Sequence, residues 1–321
     1  MKAWWSTKTE EFSAFLDAVQ EAEKCSKQGR GAIDDIRNER LEQVLGVASR
    51  LPFYRKRGLT DQNILSDFPA ITKDDVRQHF DGFFSYESQI TWKRLQPWIN
   101  DASHAGAWFD DKYLVATTSG TTGNIGVFLN DKASWGRTRA ILFVRLMLPW
   151  LKEKGLLHFG PHRPFRAAFV VATGGHFMTA LLGLKVPGPA RVAAKSEQIA
   201  VQNPFPVILR RLNKLMPHLL HCYPSTLELL ARAKIEGSLD IEPEIITMGS
   251  EHASVQCRTL LKQAFPYAAI RETYACTECV PLATSCSEGM LHLNEDACIL
   301  ECVDRDNQPV NEGEWSERVL L

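Results

Sequence analysis

Residues 114–131 of the chain read LVATTSGTTGNIGVFLND, and this stretch bears most directly on the fold. Five serines and threonines and two glycines fill the seven positions from Thr117 to Gly123, straight after an apolar run. Such a segment is either a loose surface turn or a loop that holds phosphate, because glycines let backbone amides approach an anion and hydroxyls donate further hydrogen bonds. The common P-loop is excluded, since it needs Lys-Ser/Thr after its second glycine and Asn124-Ile125 stand here.

The composition is that of an ordinary globular protein. The 321 residues are enough for one large domain or two smaller ones, with 45% hydrophobic and 23% charged residues. A formal net charge of -1 gives no sign of the excess positive charge that favours binding to nucleic acid or to an anionic membrane. The N-terminal segment is amphipathic and acidic, unlike a signal peptide, and Arg145 and Pro149 interrupt the longest apolar run. We therefore expect a cytoplasmic protein that binds neither nucleic acid nor membrane.

The first hundred residues have the patterns of helices. Apolar spacing predicts helices over residues 8–30 and 34–50, the second stopped by Pro52. Thr72, with Asp75 three positions later, reads as the N-cap of another helix. Residues 1–100 are therefore predicted to be a helical N-terminal region.

From about residue 113 the pattern changes to short apolar strands that alternate with helical segments. This alternation is typical of an α/β fold with mainly parallel sheets flanked by helices. Near the end, residues 290–321 alternate with period two around a turn at 304–308, which predicts a β-hairpin or meander. We expect residues 101–321 to form an α/β core with a β-rich C-terminal tail.

Three short motifs follow one another along this second part. The loop from Thr117 to Gly123 comes first, Gly249-Ser250-Glu251 stands at a predicted strand end, and Tyr274-Ala275-Cys276-Thr277-Glu278 stands at the next. Together they resemble the adenylate-forming superfamily (acyl-CoA synthetases, luciferases and peptide-synthetase adenylation domains). They look most like its phenylacetate-CoA ligase and coenzyme F390 synthetase branch, as do LPFYRKR, ATGGHF and YPSTLELLA. The resemblance runs from about residue 50 to the end and implies the large N-terminal domain of an adenylate-forming enzyme.

The resemblance implies a nucleotide site for ATP and Mg²⁺. The phosphates would be held by the loop residues Thr118, Ser119, Gly120, Thr121, Thr122 and Gly123. Gly249, Ser250 and Glu251 would lie along the adenine, and Tyr274 would stack on it. Thr277 would hydrogen-bond the α-phosphate and Glu278 would hold Mg²⁺, a hard cation that prefers carboxylate oxygen. For Glu278 alone, a solvated carboxylate is the plainer interpretation, and the order of the three motifs favours the functional one.

The same resemblance implies a pocket for the acid. ATGGHF places Gly174, Gly175, His176 and Phe177 at a strand end, and Tyr223 lies at another turn. In related enzymes these segments border the acyl group, so we expect a pocket for an aryl or arylalkyl carboxylic acid. His176 joins Thr277 and Glu278 as a catalytic candidate, with a capping or core histidine as the alternative.

Five of the eight cysteines lie between Cys276 and Cys302. Cys276, Cys279, Cys286 and His292 have the spacing C-x2-C-x6-C-x5-H, and thiolates with imidazole suit Zn²⁺. We consider a structural zinc held by Cys279, Cys286 and His292, with His252 or Cys276 as the fourth ligand. The alternative is that these cysteines are small buried hydrophobes.

The reaction implied is activation of a carboxylic acid by ATP, followed by transfer to CoA or a carrier thiol. Asn124-Ile125 replace the Lys-Pro that is usual after the loop, and GEWSERVLL stops within an apparent strand. We therefore expect the C-terminal lid domain to be absent, through truncation or as a natural variant, and turnover to be poor. One alternative is a module without the lid that binds nucleotide or acyl-adenylate. Another is a structural domain that is stabilised by zinc and has an inactive nucleotide site. Relatives are often dimers, so a homodimer is among the expected assemblies.

Overall fold

A computed structural model describes residues 2–118, 125–154, 162, 164–184 and 194–321. The chain divides into two compact units. The first unit contains Met1–Ser26 and Ile99–Leu293, and the second contains Lys27–Trp98 and Asn294–Leu321. None of the helices in the described ranges combines the length and the apolar character needed to cross a membrane.

A seven-stranded sheet forms the centre of the first unit. Its strands are β4 (Phe165–Val171), β5 (Ala194–Ala200), β6 (Leu219–Cys222), β7 (Ile245–Gly249), β8 (Ala269–Tyr274), β9 (Ala283–Ser285) and β10 (Leu291–Leu293). They lie in the order β10-β9-β8-β7-β6-β4-β5. The five strands from β5 to β8 are parallel, and β9 and β10 continue the sheet in antiparallel pairing. The predicted, mainly parallel α/β fold is confirmed.

A smaller antiparallel sheet carries the glycine- and threonine-rich loop. It consists of β1 (Trp108–Phe109), β2 (Tyr113–Thr117) and β3 (Val127–Asn130). The loop joins β2 to β3, and Thr117 lies opposite Val127. The sequence predicted β2 but not its partner β3. The described residues of the first motif, Thr117 and Thr118, therefore lie at the end of β2, beside the start of β3.

Helices cover both faces of the large sheet. They are α1 (Lys2–Cys25), α6 (Lys132–Leu142), α7 (Leu148–Lys154), α8 (Met178–Leu184), α9 (Phe205–Leu215), α10 (Pro224–Ile235) and α11 (Val255–Ala264). One turn of π-helix, Phe143–Met147, connects α6 to α7. On one face, Leu212, Leu227 and Leu261 are fully buried in a core cluster with side chains of β6 and β7. Each such side chain stabilises the fold by about 1.5–3 kcal/mol through burial.

The second unit is built from short helices and a two-stranded ribbon. Its helices are α2 (Arg30–Ala48), α3 (Pro52–Arg55), α4 (Lys73–Gln78) and all but the last two residues of α5 (Trp92–Asn100), and its strands are β11 (Glu301–Val303) and β12 (Arg318–Leu320). At the start of α4, the N–H of Asp75 donates to Thr72 Oγ1 at 3.2 Å, and the N–H of Thr72 donates to the Asp75 carboxylate at 2.9 Å. The predicted N-cap is confirmed, with the reciprocal bonds of a capping box.

The C-terminal tail differs in part from its predicted form. The ribbon of β11 and β12 supplies the expected antiparallel pair. The segment around Leu291, however, pairs with β9 and extends the large sheet. Period-two alternation predicts a strand but cannot say which sheet the strand joins.

Candidate active site

A cavity of about 630 Å³ lies within the first unit, at the carboxyl ends of the parallel strands. Ligands in open α/β sheets bind at this edge, because the loops that follow neighbouring strands meet there. The lining includes ten of the residues that the sequence singled out: Thr117, Thr118, Phe177, Tyr223, Gly249, Ser250, Glu251, Ala275, Cys276 and Thr277. The structure therefore brings parts of all three motifs to one cavity.

Three hydrogen bonds, two between backbone groups and one to a side chain, fix the described residues at the ends of the loop. The N–H of Thr117 donates to the carbonyl of His176 at 2.8 Å, and the N–H of Thr118 donates to the carbonyl of Gly126 at 3.0 Å. The N–H of Gly126 in turn donates to Thr118 Oγ1 at 2.8 Å. The predicted phosphate-binding residues Ser119, Gly120, Thr121, Thr122 and Gly123 lie outside the described residues.

The second motif forms the end of β7. A Cβ on Gly249 would lie 3.0 Å from the carbonyl oxygen of Thr273, so the close approach of β8 favours glycine here. Ser250 has a φ of +67°, in the left-handed region that costs a non-glycine residue about 1–2 kcal/mol. The carboxylate of Glu251 accepts a hydrogen bond from the N–H of Ser225 at 3.0 Å. This contact is at the first turn of α10, where a helix favours negative charge.

The third motif follows β8. Thr277 lines the cavity beside Cys276, whereas the Tyr274 ring is 52% exposed and Glu278 is exposed. Burial raises the pKa of the Cys276 thiol to about 11, and the neighbouring Glu278 carboxylate adds to the rise. Cys276 is therefore a neutral thiol at pH 7 and is not an activated nucleophile.

The residues predicted to bind the acid differ in where the structure places them. Phe177 and Tyr223 line the cavity, and the Tyr223 hydroxyl accepts a hydrogen bond from the N–H of Ala172 at 3.0 Å. The structure describes Gly174, Gly175 and His176, but they do not line the cavity. His176 is only 2% exposed, and its carbonyl holds the end of β2.

Sequence reasoning missed the deeper wall of the cavity. Apolar side chains supply most of this wall: Leu142, Phe143, Leu146, Met147, Phe169 and Leu219. Among them lie His221 and Thr247, whose Nδ1 and Oγ1 atoms are 2.9 Å apart. Burial lowers the pKa of His221 to about 4, so its ring is neutral at pH 7. Arg139 also lines the cavity, and its guanidinium donates to the Glu11 carboxylate at 3.3 Å.

A simple signal marks two of these missed residues. His221 and Thr247 each precede a residue of the cavity edge, Tyr223 and Gly249, by two positions. Side chains two apart on a strand share a face of the sheet, so both point into the same cavity.

The predicted zinc site is not supported. Within the described ranges, which include every candidate ligand, no group of three or more His, Cys, Asp or Glu side chains is placed to hold a metal ion. Cys279 lies in the turn after β8, where its N–H donates to the carbonyl of Cys276. Cys286 and His292 belong to the β9–β10 hairpin, and the fourth candidate, His252, is exposed after β7. Although these residues are close together along the sequence, the structure does not bring three of them to one point.

Comparison with known proteins shows which sequences this chain is similar to. No protein-family model matches the chain. Protein CapK of Staphylococcus aureus is 23% identical over 284 residues, which are 84% of this chain and 55% of CapK. The chain thus spans about half the length of the curated relative it matches.

Solved structures give the closer architectural comparison. The 2-hydroxyisobutyryl-CoA ligase in its postadenylation state with R3-HIB-AMP has a TM-score of 0.61 and 20% identity, covering 90% of this chain and 58% of the ligase. The same ligase with 2-HIB-AMP and CoA in the thioesterification state has a TM-score of 0.60 and 18% identity, covering 90% and 59%. The chain has the fold of the adenylate-forming acyl-CoA ligases, the superfamily that its three motifs resemble.

Proposed function

We propose that the chain binds ATP and a carboxylic acid in this cavity and activates the acid as an acyl-adenylate. In this reaction the acid carboxylate attacks the α-phosphorus of ATP and pyrophosphate leaves. The acyl group would then pass to CoA or another thiol. One observation carries the proposal: Thr118, Gly249 and Thr277 come from three distant motifs and line a single cavity at the strand ends.

The residues that line the cavity can form the hydrogen bonds that a bound nucleotide needs. The cavity volume lies within the range of ligand sites, and the hydroxyls of Thr118, Ser250 and Thr277 can donate to phosphate or ribose oxygens. In the proposal, Thr118 and residues 119–123 hold the outer phosphates, and Thr277 contacts the α-phosphate. Residues 249–251 lie along the adenine, with the exposed Tyr274 ring stacked on it.

Glu278 is the proposed ligand for Mg²⁺. Its carboxylate is exposed directly after Thr277, and carboxylate oxygen is the donor that Mg²⁺ prefers. The bound ion would neutralise phosphate charge, and the hydroxyls and backbone amides would fix the phosphates in place. Positioning and charge neutralisation then account for the rate, because the substrate carboxylate is itself the nucleophile. His176 contributes to this arrangement through the carbonyl that holds Thr117.

The apolar wall favours an aryl or arylalkyl acid. Phe143, Phe169 and Phe177 line the cavity together with Met147. Aromatic acids bury a large planar surface against such side chains, and aromatic pairs contribute beyond simple area burial. A small aliphatic acid would leave much of this wall without contact.

Acid-dependent exchange of pyrophosphate into ATP tests the proposal. The panel would contain benzoic, phenylacetic, cinnamic and short aliphatic acids. We expect exchange with an aromatic acid, a loss of about 10²-fold in Thr277→Ala and Glu278→Gln, and no change in Glu288→Gln, an exposed carboxylate on the β9–β10 turn. Absence of both exchange and calorimetric ATP binding would refute the proposal.

A second candidate is a module that binds nucleotide or acyl-adenylate without turnover. Asn124-Ile125 favour it, because the Lys-Pro usual in the resembling family is replaced there. This candidate predicts ATP or AMP binding by calorimetry with no exchange for any acid. The Thr277→Ala variant would then weaken binding but have no rate to change.

A further inference from the structure

A hydrogen-bonding pair lies deeper in the cavity than the three motifs. His221 and Thr247 are opposite each other on the adjacent parallel strands β6 and β7. Their Nδ1 and Oγ1 atoms are 2.9 Å apart. Phe169, in register with His221 on β4, places its ring centroid 5.6 Å from the imidazole centroid. These three residues form one row across the sheet, and all three line the cavity.

The depth of this row follows from strand geometry. Tyr223 and Gly249 stand two positions after His221 and Thr247, at the edge where the motifs begin. A strand rises about 3.3 Å per residue, so the row lies roughly 7 Å below that edge. An acid whose carboxylate reacts at the edge therefore extends its far end towards His221 and Thr247.

The surroundings of the pair favour a neutral partner. Leu146, Met147 and Leu219 give the neighbouring wall an apolar character. The imidazole is neutral at pH 7, because burial lowers the pKa of His221 to about 4. The positive charge of Arg139 is balanced by Glu11 at 3.3 Å. A charged substituent would lose its hydration here without gaining a counter-ion.

We propose that His221 and Thr247 select acids that carry a hydroxyl or aromatic amino group at the end remote from the carboxylate. The inference rests on the proposed function and names its substrate class. Both residues can donate and accept, so the pair satisfies either polarity of the substituent's hydrogen bond. A site built to hydrogen-bond a substituent disfavours the isostere that lacks it, because the hydrogen-bonding capacity that His221 and Thr247 do not use on each other is then left unmet.

Pairs of acids with equal size test the proposal. We would compare 4-hydroxybenzoic with 4-methylbenzoic acid, 4-hydroxyphenylacetic with 4-methylphenylacetic acid, and add terephthalic acid as the charged counterpart. The variants are His221→Leu, the near-isosteric Thr247→Val, and Thr259→Val as a control on the exposed side of α11. The measurements are kcat/KM for pyrophosphate exchange and Kd for the acids by calorimetry, with thermal unfolding to confirm that each variant folds.

We expect the wild-type protein and Thr259→Val to favour the hydroxy acid at least 10-fold in kcat/KM. In His221→Leu and Thr247→Val this preference should fall to nearly one, while the methyl acids keep their kcat/KM within about threefold. If His221→Leu fails to fold, the preference measured in Thr247→Val alone tests the inference. A wild-type preference for the methyl or dicarboxylic acid, or a hydroxy preference that persists in the variants, would overturn the inference while leaving adenylation established.

The inference and the proposed function can fail separately. If no acid supports exchange, the adenylation proposal fails for this chain, and the calorimetric Kd values decide the inference. Hydroxy-selective binding that disappears in Thr247→Val would support it. Unselective binding, or no binding of any acid, would overturn it.

Discussion

The ion pair between Glu11 and Arg139 holds α1 against α6, and the structure allows the consequence of breaking it to be worked out. The Nη1 and Oε1 atoms are 3.3 Å apart, and the side chains of Arg139 and Glu11 are 7% and 14% exposed. At that distance, with an effective dielectric constant of about 20, the attraction is roughly 5 kcal/mol before desolvation is subtracted. The guanidinium also lies 5.4 Å from the ring centroid of Phe15, a cation–π contact of about 0.5–1 kcal/mol.

The single variants should cost more than the pair itself contributes. Arg139→Met keeps the length of the side chain but leaves the Glu11 carboxylate largely buried, so we expect a loss of about 3 kcal/mol in the free energy of unfolding. Glu11→Gln still accepts a hydrogen bond and should cost about 2 kcal/mol. Independent effects would sum to about 5 kcal/mol. Because the double variant buries no unmatched charge, we expect it to lose only about 3 kcal/mol, a coupling energy of about 2 kcal/mol.

Urea unfolding of the full chain at pH 7 measures these differences. Lys152 and Glu23 provide a matched control, since they also join α1 to the segment after α6 and are 3.0 Å apart, but Lys152 is 59% exposed. Removing that pair should cost less than about 1 kcal/mol. Equal costs for the two pairs, or simple additivity at Glu11 and Arg139, would refute the reasoning that burial sets the magnitude.

Three further predictions concern single positions. Thr72→Ala removes the cap of α4 and should lower the free energy of unfolding by about 1 kcal/mol in urea, whereas Thr72→Ser should preserve it. Ser250→Gly relieves a φ of +67° and should stabilise the chain by about 0.5 kcal/mol after the entropy cost of glycine, which a small rise in the urea midpoint would show. Burial lowers the pKa of His221 from 6.5 to about 4, so between these pH values the unfolded chain binds a proton that the native state excludes. Stability should therefore fall by at most about 3 kcal/mol from pH 7 to pH 4, and a fall equally large in His221→Leu would contradict this assignment.

The features that the sequence predicted correctly depend on local chemistry. The cap at Thr72 needs only a hydroxyl and an acceptor three positions later, and both bonds form. The strand before the loop is an apolar run ended by Thr117 and the glycine-rich residues. Gly249 likewise marks a strand end, because a side chain there would meet the backbone of β8. The cap and the strand end before the loop depend on neighbouring residues alone, so they are readable in the sequence, whereas the sequence shows the glycine at 249 but not the strand that approaches it.

The features that the sequence missed depend on register between strands. Nothing near Thr247 in the sequence indicates that His221, on another strand, faces it. The zinc hypothesis is unsupported for the same reason, since the spacing of Cys279, Cys286 and His292 does not tell where the chain turns back into a hairpin. The sequence pointed to His176 through its side chain, and register adds that its carbonyl accepts the hydrogen bond of the Thr117 N–H.

Register also explains how one sheet can separate the common part of the proposed reaction from the variable part. Parallel strands in register bring their ends to one edge, so Tyr223, Gly249 and Thr277 reach the same cavity although they are far apart in the chain. The same register places His221 and Thr247 side by side one row deeper. In the proposed function the edge holds the groups that every acid shares, the carboxylate and the nucleotide, and the deeper row meets only what distinguishes one acid from another. Substitutions in the deeper row should therefore change which acid is chosen, and those at the edge should change the rate for all acids alike.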